Sequence, residues 1–467
     1  MADKNMKTAA GAISRNPANG ELIATYPFQT PEQVEQTLAD GAAAFEAWRA
    51  TRMAERRGCY RRLAATLRER SEAIAPLITS EMGKTIRSAR AEVEKCTAAL
   101  EWLAEHGPAI LADEPVTTDG GDHVYVSFLP IGTVLAVMPW NFPLWQVIRA
   151  AGPIMLSGNG FLLKHASNVM GCAYALRDAY EASGFPKHLF ATLSAGNDKV
   201  AAVIEDPRIV AVTVTGSMRA GSAVAATAGK ALKKSLLELG GADAFIVLAD
   251  ADLDRAVQVG IEARYQNAGQ VCLAAKRFIL ERPIADEFTR RFVQAAGKVI
   301  AGDPLDEATT IGPIARDDLR NGVHDQVERS IAGGAKLLLG GKKIDGPGFF
   351  YEPTVLADVL PGMAAFDEEI FGPVAAITIA EDAEHAIRLA NTSDYGLSGN
   401  LWTSDTEKAR IMARRLETGG VFINGFSASN PRVPVGGVKK SGYGRELSHF
   451  GLREFTNAQT VWEKAFG

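Results

Sequence analysis

The apolar positions of this chain change their period near residue 122. From 30 to 107 they recur every three or four residues with polar residues between them, which predicts helices. The first opens on Thr30 as N-cap, with Pro31 at the first helical position and Glu32 in the first turn. Gln33 stands where a capping box needs it. A second helical stretch, "MAERRGCYRRLAATLRERSEAIAPLITSEMGK", stops near Gly83.

Beyond residue 122 the pattern turns to strands. "HVYVSFLP" alternates and predicts a half-buried strand. Five apolar runs follow: "GTVLAVMPW", "GFLLKHA", "HLFATLSA", "IVAVTVTGS" and "SLLELGG". Helical stretches such as "PLWQVIRAAGPIMLSG" and "SNVMGCAYALRDAYEASG" separate them. Continuous apolar strands joined by helices predict a parallel sheet covered on both faces. Such a dinucleotide-type architecture takes ligands beyond the carboxyl ends of its strands. After Gly241 a second α/β series begins: "AFIVLAD", "KRFILE", "YEPTVLA", "PVAAITIA", "SGNLWTSD" and "GGVFING". The final stretch, "GLREFTNAQTVWEKAFG", and the strand near residue 125 belong to neither series.

Length and composition narrow the function classes. A chain of 467 residues allows two or three domains, and 47% hydrophobic with 22% charged residues is globular composition. A net charge of -5 argues against a nucleic-acid surface. No run of 18 apolar residues is present, so no membrane span is expected. The opening "MADKNMKTAAGAISRNP" lacks an apolar signal core. The four cysteines, Cys59, Cys96, Cys172 and Cys272, show no metal spacing and predict reduced thiols in a cytoplasm. Seven scattered histidines form no HExxH, so no catalytic metal is expected.

One cysteine sits oddly. In "NAGQVCLAAKR", Cys272 follows a Gly-Gln pair in a small, polar, turn-like stretch, and a large basic residue comes four positions later. A packing cysteine usually has apolar neighbours. Other polar residues stand at predicted strand ends. Asn141 either caps the helix that begins there or presents its amide to a ligand. Lys164 ends "FLLK" as a solvated or ligand-binding ammonium. Gly216 and Ser217 open a helix and can offer donors to a phosphate. Glu238 ends an apolar strand, where a carboxylate must be paired or functional because burying it alone is costly.

The motifs "PWNFP" (139–143), "TGS" (215–217), "LELGG" (237–241), "GQVC" (269–272), "EEIFGPV" (368–374) and "GGVKKSGYGRE" (436–446) resemble, in order and spacing, those of NAD(P)-dependent aldehyde dehydrogenases. The resemblance covers nearly the whole chain. It implies a Rossmann-type cofactor domain over 1–118 and 133–239, an α/β catalytic domain over 240–438, and oligomerisation strands at 119–132 and 451–467. Cys272 would be the nucleophile, Asn141 and the Cys272 backbone N–H the oxyanion donors, and Glu238 the general base for hydrolysis. Glu446 matches a second acid that some members use in proton relay; the alternative is a surface glutamate. Trp140, Lys164, Gly216 and Ser217 would bind the adenosine and phosphate side of the cofactor, Glu369 and Phe371 the nicotinamide ribose, and Leu239 would also be a cofactor residue. Ser167 stands where many NAD-preferring members carry a glutamate. A serine there accepts a 2′-phosphate, so NADP is the expected cofactor, with NAD as a second. The paired strands imply a homodimer or homotetramer.

The aldehyde is read from fewer residues. Trp145 and Arg149 lie four apart and share a helix face. Arginine in "NFPLWQVIR" resembles the succinate-semialdehyde dehydrogenases, where a guanidinium can bind a carboxylate; the alternative is an ion pair with a structural acid. Ser429 in "SASNPRVP" resembles a substrate-proximal serine of the bacterial branch. Some relatives carry arginine where this chain has Gln266. Arg264 lies two residues earlier, so the resemblance does not extend to a second carboxylate clamp. The expected reaction is oxidation of succinate semialdehyde. The alternatives are another aliphatic or aromatic aldehyde, a binding protein on the same fold, and a thiol hydrolase.

Overall fold

The computed structural model describes residues 11–464. The stretch 1–10, part of the segment read for a signal core, and residues 465–467 of the carboxyl-terminal segment lie outside the described residues. Helices fill the first quarter as the apolar spacing predicts. Pro31–Arg49 is capped by Thr30, whose side chain accepts from the Gln33 N–H while Gln33 Oε1 accepts from the Thr30 N–H. Ser71–Met82 ends at Gly83, which takes the left-handed conformation at φ 87°.

The first α/β series forms a six-stranded sheet. Its central strand, Thr133–Met138, pairs in parallel with Gly160–His165 on one side and Ile209–Thr215 on the other. Phe190–Thr192 and Lys234–Glu238 lie outside these, also parallel. The chain thus reverses its direction of winding beside the central strand, where such sheets open a crevice. A short strand, Gly442–Tyr443, adds antiparallel to Lys234–Glu238, so residues after 438 return to the first sheet. The second series forms a seven-stranded sheet whose centre, Ala244–Val247, Arg277–Glu281 and Val374–Ala380, is parallel. Its edge strand, Lys336–Leu339, is antiparallel and was not visible in the apolar pattern. Three of its four residues are exposed, so it carries no buried run to read.

The strand near 125 and the carboxyl-terminal stretch belong together. His123–Pro130 pairs antiparallel with Thr456–Glu463 along its full length, from Thr456 opposite Pro130 to Glu463 opposite His123. Glu114–Val116, upstream of the 119–132 segment, completes this three-stranded sheet. A hairpin of Gly11–Arg15 and Leu22–Pro27 precedes the first helix.

The helix Trp145–Leu156 is buried at all 12 positions. A helix whose only polar positions are Gln146 and Arg149 belongs in an interior. Here it packs under the helices Met53–Glu69 and Ile86–Ile110 and against the first sheet. Each large apolar side chain buried there contributes about 1.5–3 kcal/mol. This rigid layer holds Asn141 and the residues after it against the second sheet.

Candidate active site

Cys272, Asn141 and Glu238 line one cleft of about 230 Å³. Trp140, Gly216, Ser217, Leu239, Glu369 and Phe371 line it as well. The carboxyl ends of the first sheet meet the amino ends of the second here. Pro139–Asn141, Gly216 and Leu239 follow strands of the first, while Cys272 and Glu369 precede strands of the second. The Trp140 and Phe371 rings meet edge-on across the two halves, centroids 5.7 Å apart at 89°.

The loop that carries Cys272 explains its small, polar sequence. Asn267, Ala268 and Gly269 run consecutively at positive φ (52°, 54° and 73°). A Cβ on Gly269 would fall 2.1 Å from the Gly372 carbonyl oxygen, so only glycine fits. Side chains bind the backbone of this turn from all sides. Asn267 Nδ2 donates to the Asn141 carbonyl at 3.0 Å. Gln270 Nε2 donates to the Asn267 carbonyl at 3.0 Å. Lys276 Nζ donates to the carbonyls of Val271 at 3.0 Å and Cys272 at 2.6 Å. Arg264 is fully buried and donates to Gly269 at 2.7 Å and Ala275 at 3.2 Å. It is a loop clamp, and no guanidinium remains there for a substrate. Burial pushes the Cys272 thiol up to about 11, against the pull of Arg149 and Lys276. The resting thiol is therefore protonated at neutral pH.

Asn141 is 3% exposed. Its Nδ2 donates one hydrogen bond, to the Gln270 carbonyl at 3.0 Å, which leaves one N–H for a ligand. The turn after it is anchored by Glu92, whose Oε1 accepts from the N–H groups of Leu144 and Trp145, both at 2.9 Å. Glu92 is ion-paired with the buried Lys84. A carboxylate at the start of the Trp145 helix also suits the helix dipole. Asn141 is thus an amide held toward the cleft by the turn, not the cap of that helix.

Glu238 ends its strand with no hydrogen-bond partner for Oε1 among the described residues. Oε2 lies 3.8 Å from Arg149 Nη2. Burial pushes Glu238 up to about 8, with Arg149 pulling down and Glu446 pushing up. Arg149 itself does not line the cleft. Its guanidinium is 2% exposed and makes a close ion pair with Glu446, whose alignment falls short of a hydrogen bond. Burial alone would weaken its charge, but Glu446 and Glu238 hold it above the ordinary arginine value. Two expectations are corrected by this triad. Arg149 is not a free clamp for a carboxylate, because two buried acids already take its charge. Glu446 is not on the surface: it is 4% exposed, and burial pushes its carboxyl up.

The remaining predicted residues divide by place. Ser217 caps the helix Met218–Lys230, and a Cβ on Gly216 would meet open space. Lys164 and Ser167 stand apart from the cleft lining. Lys164 is 6% exposed, with the His165 carbonyl at 3.3 Å its one hydrogen-bond partner among the described residues, and burial lowers its pKa. Ser167 is exposed at the start of a short 3-10 turn after the Lys164 strand. Buried ammonium, exposed hydroxyl and open helix start form a donor set that fits the phosphates of a dinucleotide. Glu369 Oε1 accepts from the Gly241 N–H at 3.0 Å and lies 3.4 Å from Lys276 Nζ. Trp145 is buried, and its Nε1 donates to Ser429 Oγ at 3.0 Å. Residues that the sequence reading passed over are Lys276, Asn267 and Gln270 under the cysteine, Gln146 and Thr215 in the cleft wall, and Lys95 beside Trp145. The basic residue four places after the cysteine was the one visible signal.

A thiol, an amide donor and a carboxylate around one cleft are equipped for acyl transfer. Comparison with known proteins agrees with that chemistry. Residues 6–461 match the Aldehyde dehydrogenase family. The chain is 57% identical over 455 residues to the succinate semialdehyde dehydrogenase [NAD(P)+] Sad of Escherichia coli strain K12, covering 97% of this chain and 98% of that one. It is 45% identical over 449 residues to the succinate-semialdehyde dehydrogenase [NADP(+)] 1 of Mycobacterium tuberculosis strain H37Rv, covering 96% and 98%. The solved succinic semialdehyde dehydrogenase of Streptococcus pyogenes, in complex with NADP+, superposes with a TM-score of 0.94 at 36% identity, over 96% of this chain and 99% of that one. The chain belongs to the aldehyde dehydrogenase family.

Proposed function

We propose that the protein oxidises succinate semialdehyde to succinate with NADP as hydride acceptor and NAD as a second cofactor. The observation that carries this reading is the convergence of Cys272, Asn141 and Glu238 on one cleft with the cofactor-side residues Gly216, Ser217, Glu369 and Phe371. The similarity to named succinate-semialdehyde dehydrogenases supports the choice of aldehyde.

The Cys272 thiol releases its proton to solvent, and Sγ as the thiolate attacks the aldehyde carbon and forms a hemithioacetal. The free N–H of Asn141 and the Cys272 backbone N–H, which makes no hydrogen bond among the described residues, receive the oxyanion. Losing one such donor costs about 2.7–4 kcal/mol of barrier. NADP, when bound, supplies the hydride acceptor, and oxidation of the hemithioacetal leaves a thioester on Cys272. Glu238 takes a proton from water, which adds to the thioester and releases the acid and the thiol. A base with a pKa of about 8 is suited to that step near neutral pH. Arg149 acts as a positioning residue, holding Glu238 and Glu446 in place and opposing the rise that burial imposes on both carboxyls. Lys164 and Ser167 receive the 2′-phosphate, since neither brings a carboxylate against it.

The first sheet serves as the cofactor domain and the second as the catalytic domain. The strand Thr456–Glu463 forms an edge of the small sheet, with Trp462, Leu129 and Val116 exposed on that sheet. An uncovered edge of this kind pairs readily with another chain, which supports a homodimer or homotetramer. The four cysteines are free, which supports a reducing, cytoplasmic setting.

The test is a panel of aldehydes followed by absorbance of reduced cofactor, with Cys272→Ala beside the wild type. Succinate semialdehyde is expected to be the best substrate. The variant is expected to bind NADP and turn over nothing. Preference for aromatic aldehydes would overturn the substrate, and activity in the variant would overturn the nucleophile.

A further inference from the structure

We infer that Lys95 supplies the cation for the distal carboxylate of the substrate, with Ser429 and Trp145 fixing its place; this rests on the succinate semialdehyde reading above. Lys95 projects from the helix Ile86–Ile110. Its Nζ donates to Ser429 Oγ at 2.8 Å and lies 4.3 Å from the Trp145 ring centroid. Trp145 Nε1 donates to the same Ser429 oxygen at 3.0 Å. Ser429 Oγ thus accepts twice, and its own O–H remains to donate. Three segments far apart in sequence bring an ammonium, an indole N–H and a hydroxyl to one point. Every group at that point is a donor.

No carboxylate among the described residues forms an ion pair with this ammonium. Among the described residues Lys95 enters no ion pair, whereas its neighbours are paired. Glu92, one turn back on the same helix, takes Lys84. Arg149, one turn on from Trp145, takes Glu446 and Glu238. Burial and the charge of Arg149 hold Lys95 down to about 8, with Lys84 also opposing its charge and Glu92 and Cys96 favouring it. A mostly buried, unpaired ammonium is costly unless something completes it. An incoming carboxylate supplies the missing acceptor and the missing negative charge.

Lys95, Trp145 and Ser429 stand outside the lining of the cleft and join it through the chain at Trp145. Gln146, next to Trp145 in the chain, lines the cleft with Cys272. The charge of Arg149 reaches both Cys272 and Lys95. Arg149 is spent on its acids, so Lys95 is the free cation of this group. A neutral aldehyde leaves it unanswered, and a semialdehyde answers it. Discrimination of that kind, resting on a buried polar group left unpaired by the wrong substrate, exceeds what an apolar pocket achieves.

The experiment compares wild type, Lys95→Met and Lys95→Arg on succinate semialdehyde and on butanal, with NADP saturating. In Lys95→Met the KM for succinate semialdehyde is expected to rise about tenfold or more, the loss of one charge-assisted contact. Turnover should stay within about twofold, and the KM for butanal should hold. Lys95→Arg should recover most of the affinity, since the charge is kept. In the wild type, kcat/KM for succinate semialdehyde relative to that for butanal should fall as pH passes about 8 and the ammonium loses its proton, since deacylation by Glu238 is common to both substrates. This arm decides the matter if the methionine variant fails to fold. A wild type that does not prefer the semialdehyde overturns the substrate reading and this inference with it. A wild type that prefers it, and keeps that preference in Lys95→Met or across the pH range, overturns the role of Lys95 alone.

Discussion

Arg149 lies 3.8 Å from Glu238 Oε2 and closes on Glu446 from its other side. One buried cation therefore holds two buried acids, one of which faces the reacting thiol across the cleft. Removing it leaves both carboxylates uncompensated. Arg149→Ala is expected to lose about 3–5 kcal/mol of stability, the cost of breaking a buried pair from one side. Denaturant unfolding measures this. The surviving folded enzyme should lose turnover on succinate semialdehyde and butanal alike. A selective loss on the semialdehyde would return Arg149 to the substrate.

Glu238 makes a pH prediction with a definite sign. Burial pushes its pKa up to about 8, and only the carboxylate accepts a proton from water. Deacylation should therefore rise with pH and level off above about 8. Glu238→Gln should abolish that rise and give a burst of reduced cofactor followed by slow turnover. Rapid-mixing absorbance separates the two phases. A flat wild-type profile between pH 6 and 9, about a unit or two either side of that value, would count against Glu238 as the base.

Gly269 is the narrowest point of the cysteine loop. Gly269→Ala places a Cβ 2.1 Å from the Gly372 carbonyl in a left-handed backbone. The conformation alone costs about 1–2 kcal/mol, and the clash adds to it. The loop should shift, slowing turnover and the alkylation of Cys272 by iodoacetamide while the fold persists. Unchanged alkylation would show that the loop tolerates the strain.

Ser167→Glu should weaken NADP far more than NAD, because a carboxylate would face the 2′-phosphate. A loss of about 1–3 kcal/mol is the scale of one charge-assisted contact. Titration calorimetry with each cofactor reads it. Equal affinities before and after the change would show that Ser167 does not meet the 2′-position.

The edge strand predicts assembly. Sedimentation at micromolar concentration should give a species of at least two chains. Placing lysines at Val461 and Trp462 on the Thr456–Glu463 strand should release monomers, since charge on an edge opposes pairing. A wild type that sediments as a single chain would contradict the dimer.

Local chemistry was legible before any coordinate. Thr30, Pro31 and Gln33 specify a helix start within four residues, and the structure forms that capping box. The alternation of apolar runs and helical stretches from 132 to 241 specifies a parallel sheet, because each run needs only its own period to be read. The Cys272 stretch was legible for the same reason: a cysteine among glycine, glutamine and alanine contradicts ordinary packing, and the contradiction marked the site. The strands Leu22–Pro27 and Lys336–Leu339 were not legible, since their mostly exposed positions leave little apolar period to read.

Partnership between distant charges lay beyond the sequence. Arg149 reads as a free cation on a helix face, and nothing within ten residues says otherwise. Glu446, about 300 positions away, takes its charge only because the chain after 438 folds back onto the first sheet. Lys95 reads as one polar position of an amphipathic helix, and only packing against Trp145 and the Ser429 loop half-buries it without an ion-pair partner among the described residues. Period and capping act over a few residues, where order along the chain is order in space. The energy of a buried charge depends on what surrounds it in three dimensions, and the elements that surround these three come from opposite ends of the chain.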